Sequence, residues 1–288
     1  MDRLLFGDNQ FFGVNHMSEE KARQQQMRFQ RTDAVVDVLI DAYAEGVRTL
    51  MCTTHERIGE VAAQFIERRD EFPDMTFFPG MPYAHKYANA VTTYGTIGAL
   101  RQFLPDTGLL DAAMRGTSSF VGKDIEGVVT LLIDAEMKMF AGLPTPVIWL
   151  QNVVTDLLLG LGFDEAFTIF ADHVREKYGA EPGFITMNLP LLAQRLEKQG
   201  IPSPLICANI NKIGFRMSGG IAAYREALQS HDFRAVAMSV FASGAIPADE
   251  AVQWVCEQPG IEAIVFGASS RRNIRHTREL VDKYWISD

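Results

Sequence analysis

The chain has 288 residues, 47% of them hydrophobic and 22% charged, the composition of an ordinary soluble protein with room for a sizeable core. Its formal net charge of −9 argues against the broad basic face that a nucleic-acid surface needs. No run reaches the roughly 18 uninterrupted apolar residues of a membrane helix. Three widely spaced cysteines, Cys52, Cys207 and Cys256, suit reduced thiols, and "MDRLLFGDNQFFG" lacks a signal-peptide pattern. The expectation is a cytoplasmic protein.

Short β-rich runs alternate with helical patterns along the chain. Strands are predicted at 3–7, 47–52, 75–80, 146–151, 183–188, 204–209, 234–240 and 262–267; they are nearly continuous apolar runs, as strands covered on both faces are. After the first strand, "TDAVVDVLIDAYAEG" carries an apolar stripe, with Thr32 as its cap and Gly46 as its stop. Then follow "ERIGEVAAQFIERR", a helix at 124–140, "DEAFTIFADHVREKYG", "LLAQRLEKQG", "GGIAAYREALQS", "PADEAVQWVCEQPG" and "RRNIRHTRELVDKY". "GLGFDEA" imitates the start of a dinucleotide fingerprint, but it lacks the third glycine and lies in a helical region. Eight strand–helix units predict an α/β fold, a (β/α)8 TIM barrel over residues 1–288 as one domain, rather than an open doubly wound sheet. Residues 81–145 exceed what one helix needs and predict a helical insertion between strands 3 and 4, either packed outside the barrel or serving as a lid or homo-oligomer contact.

Chemistry in such barrels is done where the strands end, so the strand ends give a candidate list. Asp8 at the end of strand 1 is the leading general base, with His55, His85 and Lys86 as further acid–base candidates. His16, His55 and His85 follow three consecutive strands and form a weak candidate metal set. Six of the eight asparagines fall at strand ends; of these, Asn9, Asn152, Asn188 and Asn209 are candidates for binding a polar substrate. After strands 7 and 8 stand Ser243, Gly244, Gly267, Ser269, Ser270, Arg271 and Arg272. Arginines in a helix's first turn oppose the backbone dipole unless an anion accompanies them. These residues therefore predict a ligand with an anionic, phosphate-like group.

The last third of the chain resembles the aldo-keto reductase superfamily. "MNLPLLAQRLEKQGIPSPLICANIN" resembles its strand 5–helix–strand 6 stretch, and "AVAMSVFASGAIPADEAVQWVCEQPGIEAIVFGASSRRNIRHTREL" its last two units. "AYAEGVRTLMCTTHERIGE" matches the start of the second unit. The resemblance implies NADP as the ligand, its phosphates and adenosine held by the turns after strands 7 and 8. The catalytic set of the family does not carry over: Met51 stands in the aspartate position, His55–Glu56 near the tyrosine position, and Gln151–Asn152 where a histidine is common. Lys86 matches the lysine, and Tyr83 lies three residues before it.

The reading is a small-molecule enzyme on an aldo-keto reductase-like barrel, with the usual carbonyl-reductase residues absent. Three alternatives stay open: a Schiff-base lyase using Lys212 just past strand 6, a metal-dependent lyase or hydrolase, and a ligand-binding barrel without catalysis.

Overall fold

A computed structural model describes residues 1–14, 18–83 and 121–285. In chain order the elements are β1 (Leu4–Gly7), α1 (Glu19–Arg28), α2 (Thr32–Ala44), β2 (Thr49–Thr53), α3 (Glu56–Glu67), β3 (Thr76–Met81), α4 (Val121–Met137), β4 (Val147–Leu150), α5 (Asn152–Leu161), α6 (Glu165–Tyr178), β5 (Glu181–Thr186), α7 (Leu189–Lys198), β6 (Leu205–Asn209), α8 (Gly220–Ser230), β7 (Arg234–Met238), α9 (Ala248–Cys256), β8 (Ile261–Phe266) and α10 (Arg271–Tyr284). The strands pair in parallel in sequence order, and β8 closes on β1. The fold is the (β/α)8 barrel.

Alternation along each strand builds two apolar layers. In β1, Leu5 points into the barrel with Phe78, Trp149, Cys207 and Val236, while Phe6 points out against the helices with Phe77, Ile148 and Phe184. That is why the strands read as unbroken hydrophobic runs. Trp149 lies across the neighbouring strand: a Cβ at Gly183 would come within 2.3 Å of its ring, so glycine is what lets the indole fill the barrel there.

Five elements differ from the sequence expectation. Thr32 is the first helical residue of α2 rather than its cap; its hydroxyl donates to Glu60. β5 begins at Glu181, two residues before the expected start, and carries Pro182 opposite Ile148. α1 and α5 were not predicted. α5 stops at Gly162, whose left-handed φ of 68° caps it, so "GLGFDEA" is a turn between two helices. The helix expected at 124–140 is α4 followed by a 3-10 turn at Lys138–Phe140. Residues 84–120, the larger part of the 81–145 insertion, lie outside the described residues.

Candidate functional site

A cavity of about 420 Å³ opens at the C-terminal mouth of the barrel. Its floor is apolar, built from the inward side chains Met51, Ile185, Met238 and Val265. Its rim is polar: Asp8, Asn9 and Gln10 after β1, Thr53 at the end of β2, Gln151 and Asn152 after β4, Ser239, Ser243 and Gly244 after β7, and Gly267 after β8. An apolar pocket with few convergent polar groups is the usual form of a small-molecule site.

Asp8 is the ionisable centre of this rim. Its side chain is buried, and its Oδ2 accepts the Thr53 backbone N–H at 2.7 Å and the Thr53 hydroxyl at 2.8 Å. Burial pushes the carboxyl above its ordinary value, and the Thr53 donors oppose that rise without cancelling it. Cys52 also lines the cavity, but burial and then the charge of Asp8 push its thiol up, which makes it a poor nucleophile. Gln10 crosses β8: its Nε2 donates to Gly7 O at 2.7 Å, and its Oε1 lies where a Cβ of residue 267 would be, 2.2 Å away. Gly267 is therefore required for the amide to reach the rim.

The loop after β7 is held in unusual backbone conformations. Ser239, Ala242 and Ser243 have φ of 55°, 44° and 57°, and Gly244 has 91°. Left-handed residues with a Cβ cost of order 1–3 kcal/mol each and cluster at ligand sites. Ser239, Ser243 and Gly244 all border the cavity, and the loop closes on itself there, Ala242 N–H donating to Ser239 O and Gly244 N–H to Phe241 O, each at 2.8 Å.

The other candidates are distributed as follows. His55 caps α3, its Nδ1 accepting Arg57 N–H at 3.0 Å, and its ring sits 4.3 Å from Phe12 and 5.6 Å from Tyr83 between centroids. Burial, then Arg57, hold it below the ordinary histidine value, so it is neutral at neutral pH with its proton on Nε2. Asn188 caps α7. Asn209 is buried, its amide donating to Arg216 O at 3.0 Å, and it does not line the cavity. Ser270 caps α10, and neither it nor Ser269 borders the cavity. Lys212 bonds Glu250 at 2.5 Å on the surface, away from the cavity, whereas a Schiff-base amine needs desolvation. His16, His85 and Lys86 lie outside the described residues. Among the described residues no group of three His, Cys, Asp or Glu could hold a metal.

The first turn of α10 does have an anion, and it is internal. Arg271 Nε donates to Glu45 Oε1 at 2.6 Å, and Arg275 reaches both oxygens of the same carboxylate. Glu45 is nearly buried at the end of α2, and hydrogen bonds from Arg275 and then Arg271 bring it down to about 2. A carboxylate lowered on folding contributes stability that is complete above its ordinary 4.5 and is lost as pH falls toward about 2. Glu45→Gln should therefore flatten the acid limb of thermal stability across that window, read by melting temperature against pH. Arg272, beside this pair, is exposed and has no ion pair among the described residues.

Solved structures of similar architecture include aldo-keto reductases. A proposed aldo-keto reductase from Pseudomonas aeruginosa superimposes with a TM-score of 0.62 at 14% identity, covering 98% of this chain and 90% of its own. An aldo/keto reductase from Brucella melitensis gives 0.54 at 13% identity, with 97% and 87% covered. A variant of Gox0644 in complex with NADPH gives 0.57 at 10% identity, with 100% and 86% covered. The likeness to these structures is one of fold, the (β/α)8 barrel. No family model matches the sequence, and no curated protein matches it.

Within an aldo-keto reductase-like barrel, Asp8 has a distinctive place. The resemblance puts an aspartate at the end of β2, where this chain has floor and rim residues Met51 and Thr53. The carboxylate comes instead from β1 and is hydrogen-bonded onto the last residue of β2. Sequence reading missed three residues. Gln10 and Gln25 line the cavity, the second from α1, a helix without an apolar stripe. Glu136 is buried in α4; its signal was a carboxylate three residues from Ile133 on the apolar face of that helix.

Proposed function

We propose that the chain is a small-molecule oxidoreductase that holds NADP(H) along the β7–β8 rim and uses Asp8 as its proton donor and acceptor. The observation that carries this reading is the buried Asp8 carboxyl at the cavity mouth, fixed by two Thr53 donors and pushed toward its protonated form. Oδ2 is the atom held by Thr53, so Oδ1 is the oxygen left to exchange a proton with substrate. The dinucleotide fits the chemistry of the opposite rim. The left-handed turns after β7 bring the Ser239 and Ser243 hydroxyls to the cavity, where they offer donors for its phosphates. Arg272, at the start of α10, offers a charge-assisted partner. When bound, NADPH would supply the hydride; the part of this chain would be to hold at Asp8 Oδ1 the proton that a carbonyl oxygen takes up. The apolar floor of Met51, Ile185, Met238 and Val265 excludes water from that step.

The test has two stages. Fluorescence titration with NADPH should saturate; a flat titration overturns the cofactor assignment. Consumption of NADPH is then followed against a panel of uncharged aldehydes and ketones. Saturable binding with no turnover on any of them overturns the role given to Asp8 in carbonyl reduction.

A further inference from the structure

We infer that Glu136 is a positioning residue for Asp8, reaching from α4 to lock the end of β2 so that Thr53 keeps its two donors on the Asp8 carboxyl. Glu136 is 1% exposed. Its carboxylate accepts the hydroxyl of Thr54, itself buried, and the backbone N–H of Tyr83 at 3.1 Å. One side chain thus ties together the ends of β2 and β3 at the catalytic face. Thr54 follows Thr53 directly, so the two neighbours hold two carboxylates, Thr53 on Asp8 and Thr54 on Glu136. α4 is anchored in turn on its outer side. Asp134 accepts from His173 at 2.8 Å, Lys177 at 2.5 Å and Tyr178 at 2.6 Å, all on α6. The path runs from α6 through α4 to Glu136, Thr54, Thr53 and Asp8.

Buried carboxylates are costly unless hydrogen-bonded, and loop tethers of neutral type could be made without one. A carboxylate here supplies acceptors to both strand ends at once. The influences on Asp8 are burial first, then the Thr53 bonds, so Glu136 acts on it through the position of Thr53. Among the described residues, the ionisable groups facing Asp8 from the packed elements are Cys52 on β2 and Tyr83 after β3, both raised by burial first and then by its charge. His55 stands edge-on to Tyr83. The inference rests on the reading of Asp8 as the proton-transfer group, but its test does not use turnover.

The experiment is a carboxyl-carbon NMR titration of the full chain labelled at aspartate, with the Asp8 signal assigned by its loss in Asp8→Asn. Weakening the two Thr53 donors removes the bonds that favour the charged form. In Glu136→Ala and Thr54→Val the Asp8 midpoint should move upward by about one pH unit, a tenfold change in proton affinity. Thr54→Ser, which restores the hydroxyl, should return it to the parent value. Thr54→Val keeps the side-chain shape and carries the test if Glu136→Ala does not fold. A midpoint unmoved in folded Thr54→Val, or moved equally by Thr54→Ser, overturns the inference. If Asp8→Asn retains full turnover while these shifts occur, the proposed reaction fails and the positioning role stands.

Discussion

Asp8→Asn is expected to lower NADPH-dependent turnover by ~10²–10⁴-fold, the usual worth of a positioned proton donor, with NADPH affinity unchanged. The asparagine is isosteric, and its carbonyl oxygen can still accept from Thr53 N–H and hydroxyl. What it lacks is an exchangeable acid proton. Because burial raises the parent carboxyl, carbonyl reduction by the parent should slow as pH rises through that raised value, and the variant should lose this limb. Stability should move the opposite way. A carboxyl raised on folding binds more protons in the folded state, so the parent loses stability as pH climbs from the ordinary 3.8 through the raised folded value. Asp8→Asn removes that loss and should melt higher at neutral pH. Steady-state kinetics with thermal denaturation reads both; a variant that is inactive but also less stable at neutral pH would show that Asp8 holds the fold rather than a proton.

The second large effect is at α10. Arg272→Ala should weaken NADPH binding by about tenfold or more, in line with ~1.5–3 kcal/mol for a hydrogen bond to a charged group. NADH, which lacks the extra phosphate, should be affected much less. Arg271→Ala should leave both affinities intact and instead reduce acid stability, because its guanidinium is turned onto Glu45. Parallel fluorescence titrations with the two dinucleotides separate these cases. Equal loss for both, or none for either, removes the first turn of α10 from cofactor binding.

The pair Arg271 and Arg272 also shows where reading a sequence stops. Their position opposite the helix dipole called for an anionic ligand, and what the structure places against Arg271 is a carboxylate of the chain itself. That Arg271 finds it in Glu45, 226 residues away, is a product of barrel closure that no local pattern encodes. The strands were legible because burial on both faces leaves continuous apolar runs. β5 was placed late because Glu181 and Pro182 read as loop, although Pro182 pairs within the sheet. α1 was invisible because "EEKARQQQMR" has no apolar stripe for the 3.6-residue period to reveal. At the site, Asp8, Asn9, Asn152, Ser243, Gly244 and Gly267 were named from strand ends and do line the cavity. His55 and Asn188 were named by the same logic and are helix caps, since the residue types that suit ligands also suit helix starts.

The clasp between α2 and α10 bears on how the chain reaches its fold during synthesis. Glu45 leaves the ribosome long before Arg271 and Arg275, its partners 226 and 230 positions later, and β1 likewise waits for β8. Until β8 and α10 emerge, the nascent chain carries a carboxylate without these counterions and an open sheet edge at β1, the kind of edge that recruits other chains. β8 closes that edge and the fourteen-residue α10 neutralises the carboxylate, so the two together end this vulnerable interval.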